Sequence, residues 1–189
     1  MDITTAVGAV LAAFGLSGAA GLNAWLPLFV SALLARFDVV ELAGSFDELS
    51  TTPGLVVLGA LTVADFVGDK IPVVDHGLHL LGSVIAPVSG ALLFTGPTDE
   101  QTSLPTIVSL VLGAIVAGSV HAVRATLRPA ATATTGGLGN PVVSLGEDAS
   151  SGVLTALAFI APIVAVLLLI ALLVGAIVAW RRVRRVLRR

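Results

Sequence analysis

The stretch IVAVLLLIALLVGAIVAW occupies residues 163–180 and is followed directly by RRVRRVLRR, residues 181–189. It is about as long as the helix that crosses the hydrocarbon core of a bilayer. Trp180 stands at its end, where an indole ring favours the headgroup region. Six of the ten basic residues of the chain follow it. Under the positive-inside rule, the pattern predicts a membrane-spanning helix with a basic cytoplasmic tail over residues 181–189.

The composition of the whole chain agrees with this reading. Of 189 residues, 56% are hydrophobic and only 12% are charged, and the mean hydropathy is +1.03. Soluble domains carry about 25% charged residues, and a soluble domain of this size still exposes about a third of its unfolded surface to water. The sequence therefore predicts an all-α fold, a polytopic helical membrane bundle.

Five apolar segments approach the length of a crossing, at about residues 6–35, 54–68, 77–95, 104–127 and 152–180. We expect about five spans and, with the tail inside, an N-terminus outside. The N-terminus lacks the basic region of a signal peptide, so we expect the first segment to be retained as a membrane helix. The segment 54–68 is short; we favour a crossing over a re-entrant hairpin. Residues 130–151 are polar enough to be a loop.

The first segment is rich in glycine and alanine and then carries Asn23 and Pro27. Glycine and alanine let a second helix approach closely, whereas Pro27 leaves the carbonyl of Asn23 without its helical partner. Two readings stay open. The segment is either a kinked packing helix or a broken helix that lines a solute site, as in many transporters.

An internal echo links two parts of the chain. Pro-Val-Val at residues 72–74 and again at 141–143 precedes an apolar stretch with Ile-Ala-Pro, at 85–87 and at 160–162. Both stretches are expected to be proline-broken helices. We take the echo to indicate a single transmembrane domain over residues 1–180 with two related halves, 6–95 and 104–180.

Ionisable residues within membrane segments are costly and mark functional positions. Asp65 and Asp69 are four residues apart, as are Asp75 and His79, so each pair shares one helix face. His121, Arg124 and Arg128 recur at three- and four-residue spacing and also share one face. Asp65 and Asp69 are natural ion-pair partners for these arginines. The first candidates for binding or relay are Asp65, Asp69, Asp75, His76, His121, Arg124 and Arg128. The second candidates are Asn23, Lys70, His79, Asn140, Ser144, Glu147 and Asp148.

Three readings of these charges remain open. They pair across helices and set only topology and packing; they line a path on which Asp and His relay protons or hold a cation; or they form a metal site or an intramembrane enzyme. The chain has no cysteine, which excludes thiolate sites and thiol catalysis. Because nucleotide-binding and common hydrolase motifs are also absent from the sequence, we predict no cofactor and no enzyme activity.

The residues that carry a family likeness are Ser17 to Ala24, Asp69 to His76, Pro87 to Gly90, His121, Arg124, Arg128, Gly137, Asn140-Pro141, Ser144 and Glu147-Asp148. In these positions the chain resembles the uncharacterised bacterial membrane family of domain of unknown function 4126. The block Asp69-Lys70-Ile71-Pro72 is the most specific part. The resemblance implies a multi-pass membrane protein and brings no known substrate.

We therefore predict a transporter or channel-like protein for a small ion or polar solute in a bacterial inner membrane. One alternative is a membrane scaffold or lipid-interacting subunit without transport, and another is an intramembrane lipid-modifying enzyme. Membrane lipids, a small ion or polar solute, and further copies of the chain are the expected partners; nucleic acid is not.

Overall fold

The computed structural model describes residues 3–44, 46–69, 72–99, 101–136 and 138–187, without the side chains at 72–76, 78, 79, 130, 131, 133, 134, 183, 184, 186 and 187. These residues form helices and no strand, which confirms the all-α class. The helices are α1 (Ile3–Leu22), α2 (Leu26–Arg36), α3 (Phe46–Leu49), α4 (Thr52–Gly68), α5 (Pro72–Thr98), α6 (Thr106–Thr135), α7 (Asn140–Ile160) and α8 (Pro162–Leu187).

Five of the described helices have stretches long and apolar enough to cross a membrane: Ile3–Leu22, Leu80–Thr98, Thr106–Pro129, Asn140–Ile160 and Pro162–Arg182. The number agrees with the prediction, but the segments differ. Helix α4, predicted as the second crossing, has 17 residues, or about 26 Å at the usual rise. It is shorter than the hydrocarbon core and is not one of the five.

Helix α1 lies at the centre of the bundle and contacts α5, α6, α7 and α8. Ser17 Oγ donates a 2.9 Å hydrogen bond to the carbonyl oxygen of Gly90 on α5, and Ser151 Oγ on α7 donates a 3.0 Å bond back to α1. The small residues of α1 permit close packing of its neighbours, since a Cβ atom added at Gly21 would lie 2.6 Å from the backbone carbonyl oxygen of Ala117 on α6. The glycine-rich segment therefore packs as predicted.

The direction of the helices follows from these contacts. Gly15 of α1 lies against Ala165 of α8, and Gly18 lies against Leu169, so the two helices run in the same direction. The first residues of α1 and the last residues of α8 consequently lie at opposite ends of the bundle, as an odd number of crossings requires.

The first predicted segment is two helices, because the chain leaves the helical conformation after Leu22. The side-chain oxygen of Asn23 accepts hydrogen bonds from the backbone N–H groups of Trp25 and Leu26, at 3.1 and 3.0 Å. It thereby satisfies two of the free donors at the start of α2. The segment at residues 6–35 is therefore broken rather than kinked.

Helix α2 turns back toward the end of the bundle at which α1 begins. Phe14 of α1 packs edge to face against Phe94 of α5, with ring centroids 5.1 Å apart. Just beyond α2, the N–H of Ala43 donates a 3.0 Å hydrogen bond to Gly96, also near the end of α5. Helices α2 and α4 then pack against each other, so a short helical pair fills this side of the bundle.

The prediction of a loop over residues 130–151 is wrong. Helix α6 continues to Thr135 and is ended by Gly136, whose φ of 61° is a left-handed conformation that glycine adopts easily. Helix α7 begins at Asn140, with Pro141 in its first turn, a position that suits proline. Most of the predicted loop is thus helical, and its residues Ser144, Asp148 and Ser151 are buried in the bundle, whereas Thr132 and Thr135 are exposed.

The predicted crossing at 152–180 is also divided. Ala161 leaves the helical conformation, with φ −148° and ψ 72°, and Pro162 begins α8. The second half of the echo therefore does contain a proline break. In the first half, α5 passes through Pro87 without interruption, which corrects that part of the prediction; neighbouring helices can satisfy the carbonyl that a proline frees.

Candidate functional site

A network of four charged side chains joins α4, α6 and α7. Asp69, directly after α4, accepts hydrogen bonds on Oδ2 from Nη2 of Arg124 at 2.8 Å and of Arg128 at 3.0 Å. Glu147 on α7 accepts on Oε2 from Nε of Arg124 at 2.8 Å and from Nη2 of Arg128 at 2.7 Å. Ser144 Oγ donates a further bond of 3.2 Å to Asp69. Each arginine therefore bridges the same two carboxylates.

Helical spacing explains the network. Arg124 and Arg128 are four residues apart on α6, so both guanidinium groups project from one face. Ser144 and Glu147 are three apart on α7 and face them. The predicted ion pairing of Asp65 and Asp69 with Arg124 and Arg128 is present for Asp69.

A second polar contact ties the helix break to α7. Asn23 Nδ2 donates a 2.9 Å hydrogen bond to Asp148 Oδ1. Asp148 is only 8% exposed, and its other oxygen, Oδ2, is buried without a hydrogen-bond partner among the described residues. A buried carboxylate oxygen with no donor is costly. Oδ2 of Asp148 is therefore an acceptor that a ligand could contact.

A small cavity of about 30 Å³ lies between the helix break and the charged network. Its polar walls are Asp65, Asp69, His121 and Arg124, and its apolar walls come from α1, α5 and the break. One carboxylate oxygen from each of Asp65, Asp69 and Asp148 lies within 4.8 Å of the other two. The volume is sufficient for one or two water molecules or for a small ion.

Negative charge exceeds positive charge at this site. Four carboxylates meet there, from Asp65, Asp69, Glu147 and Asp148, but only two guanidinium groups among the side chains that the structure describes. Arg124 and Arg128 are matched by Asp69 and Glu147. Asp65 and Asp148 remain in excess, which gives the described part of the site a formal charge of −2.

The structure brings together most of the sequence candidates. The candidates that meet at the site are Asp65, Asp69, His121, Arg124, Arg128, Asn23, Ser144, Glu147 and Asp148. Asn140 is separate, since its Oδ1 accepts a 3.0 Å hydrogen bond from Thr132 near the α6–α7 turn. Lys70 and the side chains of Asp75, His76 and His79 lie outside the described residues.

Several residues that line the cavity are not among the sequence candidates, and Trp25 and Gly82 are two of them. A Cβ atom added at Gly82 would lie 2.7 Å from Cε1 of His121, so the absent side chain makes room for the imidazole. Gly82 carries no local signal, because glycine is common throughout this chain. Trp25 lies next to Asn23, where the helix is interrupted. Its position in the sequence therefore could have indicated that it lines a site formed at the break.

Comparison with known proteins identifies a family but brings no activity. No curated protein and no solved structure shows a match to the chain. Residues 10–182 match a family described as Domain of unknown function (DUF4126), and this range includes every residue of the site. The chain is a multi-pass helical membrane protein that belongs to the DUF4126 family.

Proposed function

We propose that this protein transports or conducts a small cation across the membrane and that the cation passes the cluster of Asp65, Asp69 and Asp148. The observation that carries the proposal is the excess of two carboxylates, among the described side chains, beside a helix break inside the bundle. Asp148 stands eight residues after the start of α7 and twelve before its end, about 12 and 18 Å along the helix axis. A fixed negative charge at such depth attracts cations and repels anions.

The local backbone supports the same proposal. Transporters place ion sites where a membrane helix is interrupted, because the interruption exposes polar backbone and side-chain groups. Here the break between α1 and α2 brings Asn23 to Asp148, with a cavity beside it. Arg124 and Arg128 hold Asp69 in position, and they add positive charge that limits how tightly a cation is bound.

A flux assay in proteoliposomes tests the function. Vesicles with the wild-type protein should dissipate imposed gradients of H⁺, Na⁺, K⁺, Mg²⁺ or Mn²⁺ faster than empty vesicles for at least one cation. Asp65→Asn should reduce that flux to the level of empty vesicles, because it removes one of the two excess charges. No hydrogen bond or ion pair joins Asp65 to another described residue, so this change should leave the fold intact.

Asp47→Asn is the matched control, since Asp47 is an exposed carboxylate on α3. It should transport like the wild type, and both variants should show wild-type helicity and elution volume. If wild-type vesicles carry none of these cations, or if Asp65→Asn carries them equally well, the proposal is wrong. The scaffold alternative would then be favoured.

For the orientation, we propose that the C-terminal end of α8 faces the cytoplasm and that the membrane is the inner membrane of a bacterium. Arg181, Arg182 and Arg185 are exposed near the end of α8. Clusters of basic residues next to a membrane helix favour the cytoplasmic side. Because the chain has no cysteine, Arg185→Cys introduces a unique thiol. A membrane-impermeant maleimide should label it in inverted vesicles and not in intact cells; the reverse pattern would overturn the assignment.

A further inference from the structure

We infer that Asp65, Asp69 and Asp148 bind a hard divalent cation of the class of Ca²⁺, Mn²⁺ and Mg²⁺. As the identity of the transported ion, this inference rests on the function proposed above. As a binding site, it is testable without any transport.

The three carboxylates have oxygens free to act as ligands. All described hydrogen bonds to Asp69 use its Oδ2, which leaves Oδ1 for an ion. Asp148 is bonded to Asn23 through Oδ1, while Oδ2 is buried without a partner among the described residues. Asp65 completes the group from α4. The chain thus brings three oxygen ligands from two helices and the residue after α4.

The spacing suits a divalent ion. One oxygen of each carboxylate lies within 4.8 Å of one oxygen of each of the other two. Oxygens on opposite sides of Ca²⁺ are about 4.8 Å apart at the usual bond length, against about 4.2 Å for Mg²⁺, so the three carboxylates are close enough together to hold one such ion. The adjoining cavity of about 30 Å³ has room for one or two waters, which would add to the carboxylate oxygens, since such ions take about six or more oxygen ligands.

The charge favours the same class of ion. The excess of two negative charges in the described part of the site is neutralised by one divalent cation, whereas a monovalent ion leaves one charge buried and unpaired. Among the described side chains the ligand group consists of carboxylates, and carboxylate ligands suit Ca²⁺, Mn²⁺ and Mg²⁺ better than softer metals. The competing outcome is that two protons, rather than an ion, neutralise Asp65 and Asp148.

Titration with Mn²⁺ tests the site. The purified full-length protein in detergent is stripped of metal with EDTA, dialysed and titrated with Mn²⁺, whose free form is measured by its electron paramagnetic resonance spectrum. We expect saturable binding of one Mn²⁺ per chain, displaced by Ca²⁺. Asp148→Asn and Asp65→Asn should each weaken binding by about tenfold or more, whereas Asp47→Asn should bind like the wild type.

The two proposals fail in different ways. If Mn²⁺ does not bind, or if Asp65→Asn binds it as tightly as the wild type, the divalent site is wrong even where vesicles show H⁺ or Na⁺ flux. If Mn²⁺ binds and Asp65→Asn loses it, but vesicles carry no cation, the site stands and the transport function is wrong. Because Asp65 has no described hydrogen bond to lose, its variant reports on ligation even if Asp148→Asn is unstable.

Discussion

Replacing Arg124 by glutamine is expected to lower the free energy of unfolding in detergent by about 3–5 kcal/mol, the usual cost of leaving a buried ionic partner unmatched. The side chain of Arg124 is 9% exposed and bridges Asp69 and Glu147. Without it, the four carboxylates of the site share the single guanidinium of Arg128 among the described side chains. Unfolding by SDS titration, followed by circular dichroism, measures the change.

A compensating variant separates charge balance from the loss of packing. Adding Glu147→Gln to Arg124→Gln removes one charge of each sign, so the double variant should recover a large part of the lost stability. Arg36→Gln is the control, because Arg36 is exposed at the end of α2 and exposed pairs contribute at most about 1 kcal/mol. A double variant no more stable than Arg124→Gln would show that this charge balance does not hold the three elements together.

The second large effect is expected at the crossing of α5 and α6. Gly113→Ala should lower the free energy of unfolding by about 1–3 kcal/mol or more, as overpacking does. The added Cβ would lie 2.7 Å from Cβ of Phe94 and would contact the carbonyl oxygen of Gly90 more closely still. Because one of these obstacles is backbone, a side-chain rotation cannot relieve the clash. The same SDS titration measures the effect.

Gly175→Ala on α8 is the matched control. A Cβ atom there meets nothing within 4 Å, so only the helix propensity changes, by up to about 1 kcal/mol in favour of alanine. If Gly113→Ala were as stable as Gly175→Ala, the backbones of α5 and α6 would not be in close contact at Gly90 and Gly113.

The membrane class and part of the site follow from local sequence patterns. Residues 163–180 are apolar for the length of a crossing, and the spacing of Arg124 and Arg128 alone predicts one charged helix face. The residues that face these arginines, however, lie in the stretch 130–151, for which the sequence predicts a loop. Its polar residues recur at 144, 147, 148 and 151, which is helical spacing, so the signal for a helix with an inward polar face was present and was outweighed by their polarity.

Other features of the site have no local signal. Asn23 and Asp148 are 125 residues apart in the chain and meet because α1 and α7 pack side by side. No spacing rule predicts such a contact. The proline at position 27 indicated that a helix is disturbed, but whether the disturbance is a kink or a break depends on the partners that Asn23 finds, and Asp148 on a distant helix is one of them.

The central position of α1 has a consequence for how the protein is made. A chain synthesised from its N-terminus delivers α1 to the membrane before α5 and α7, yet Ser17 bonds to a residue 73 positions later and Ala19 accepts a bond from one 132 positions later. Until α5 and α7 have been inserted, α1 offers lipid a surface of small side chains, and the side-chain N–H group of Asn23 just after it has no acceptor on α7. Helix α1 therefore completes its contacts only after later helices have been made, and a nascent chain released before α7 exposes that N–H group to the membrane.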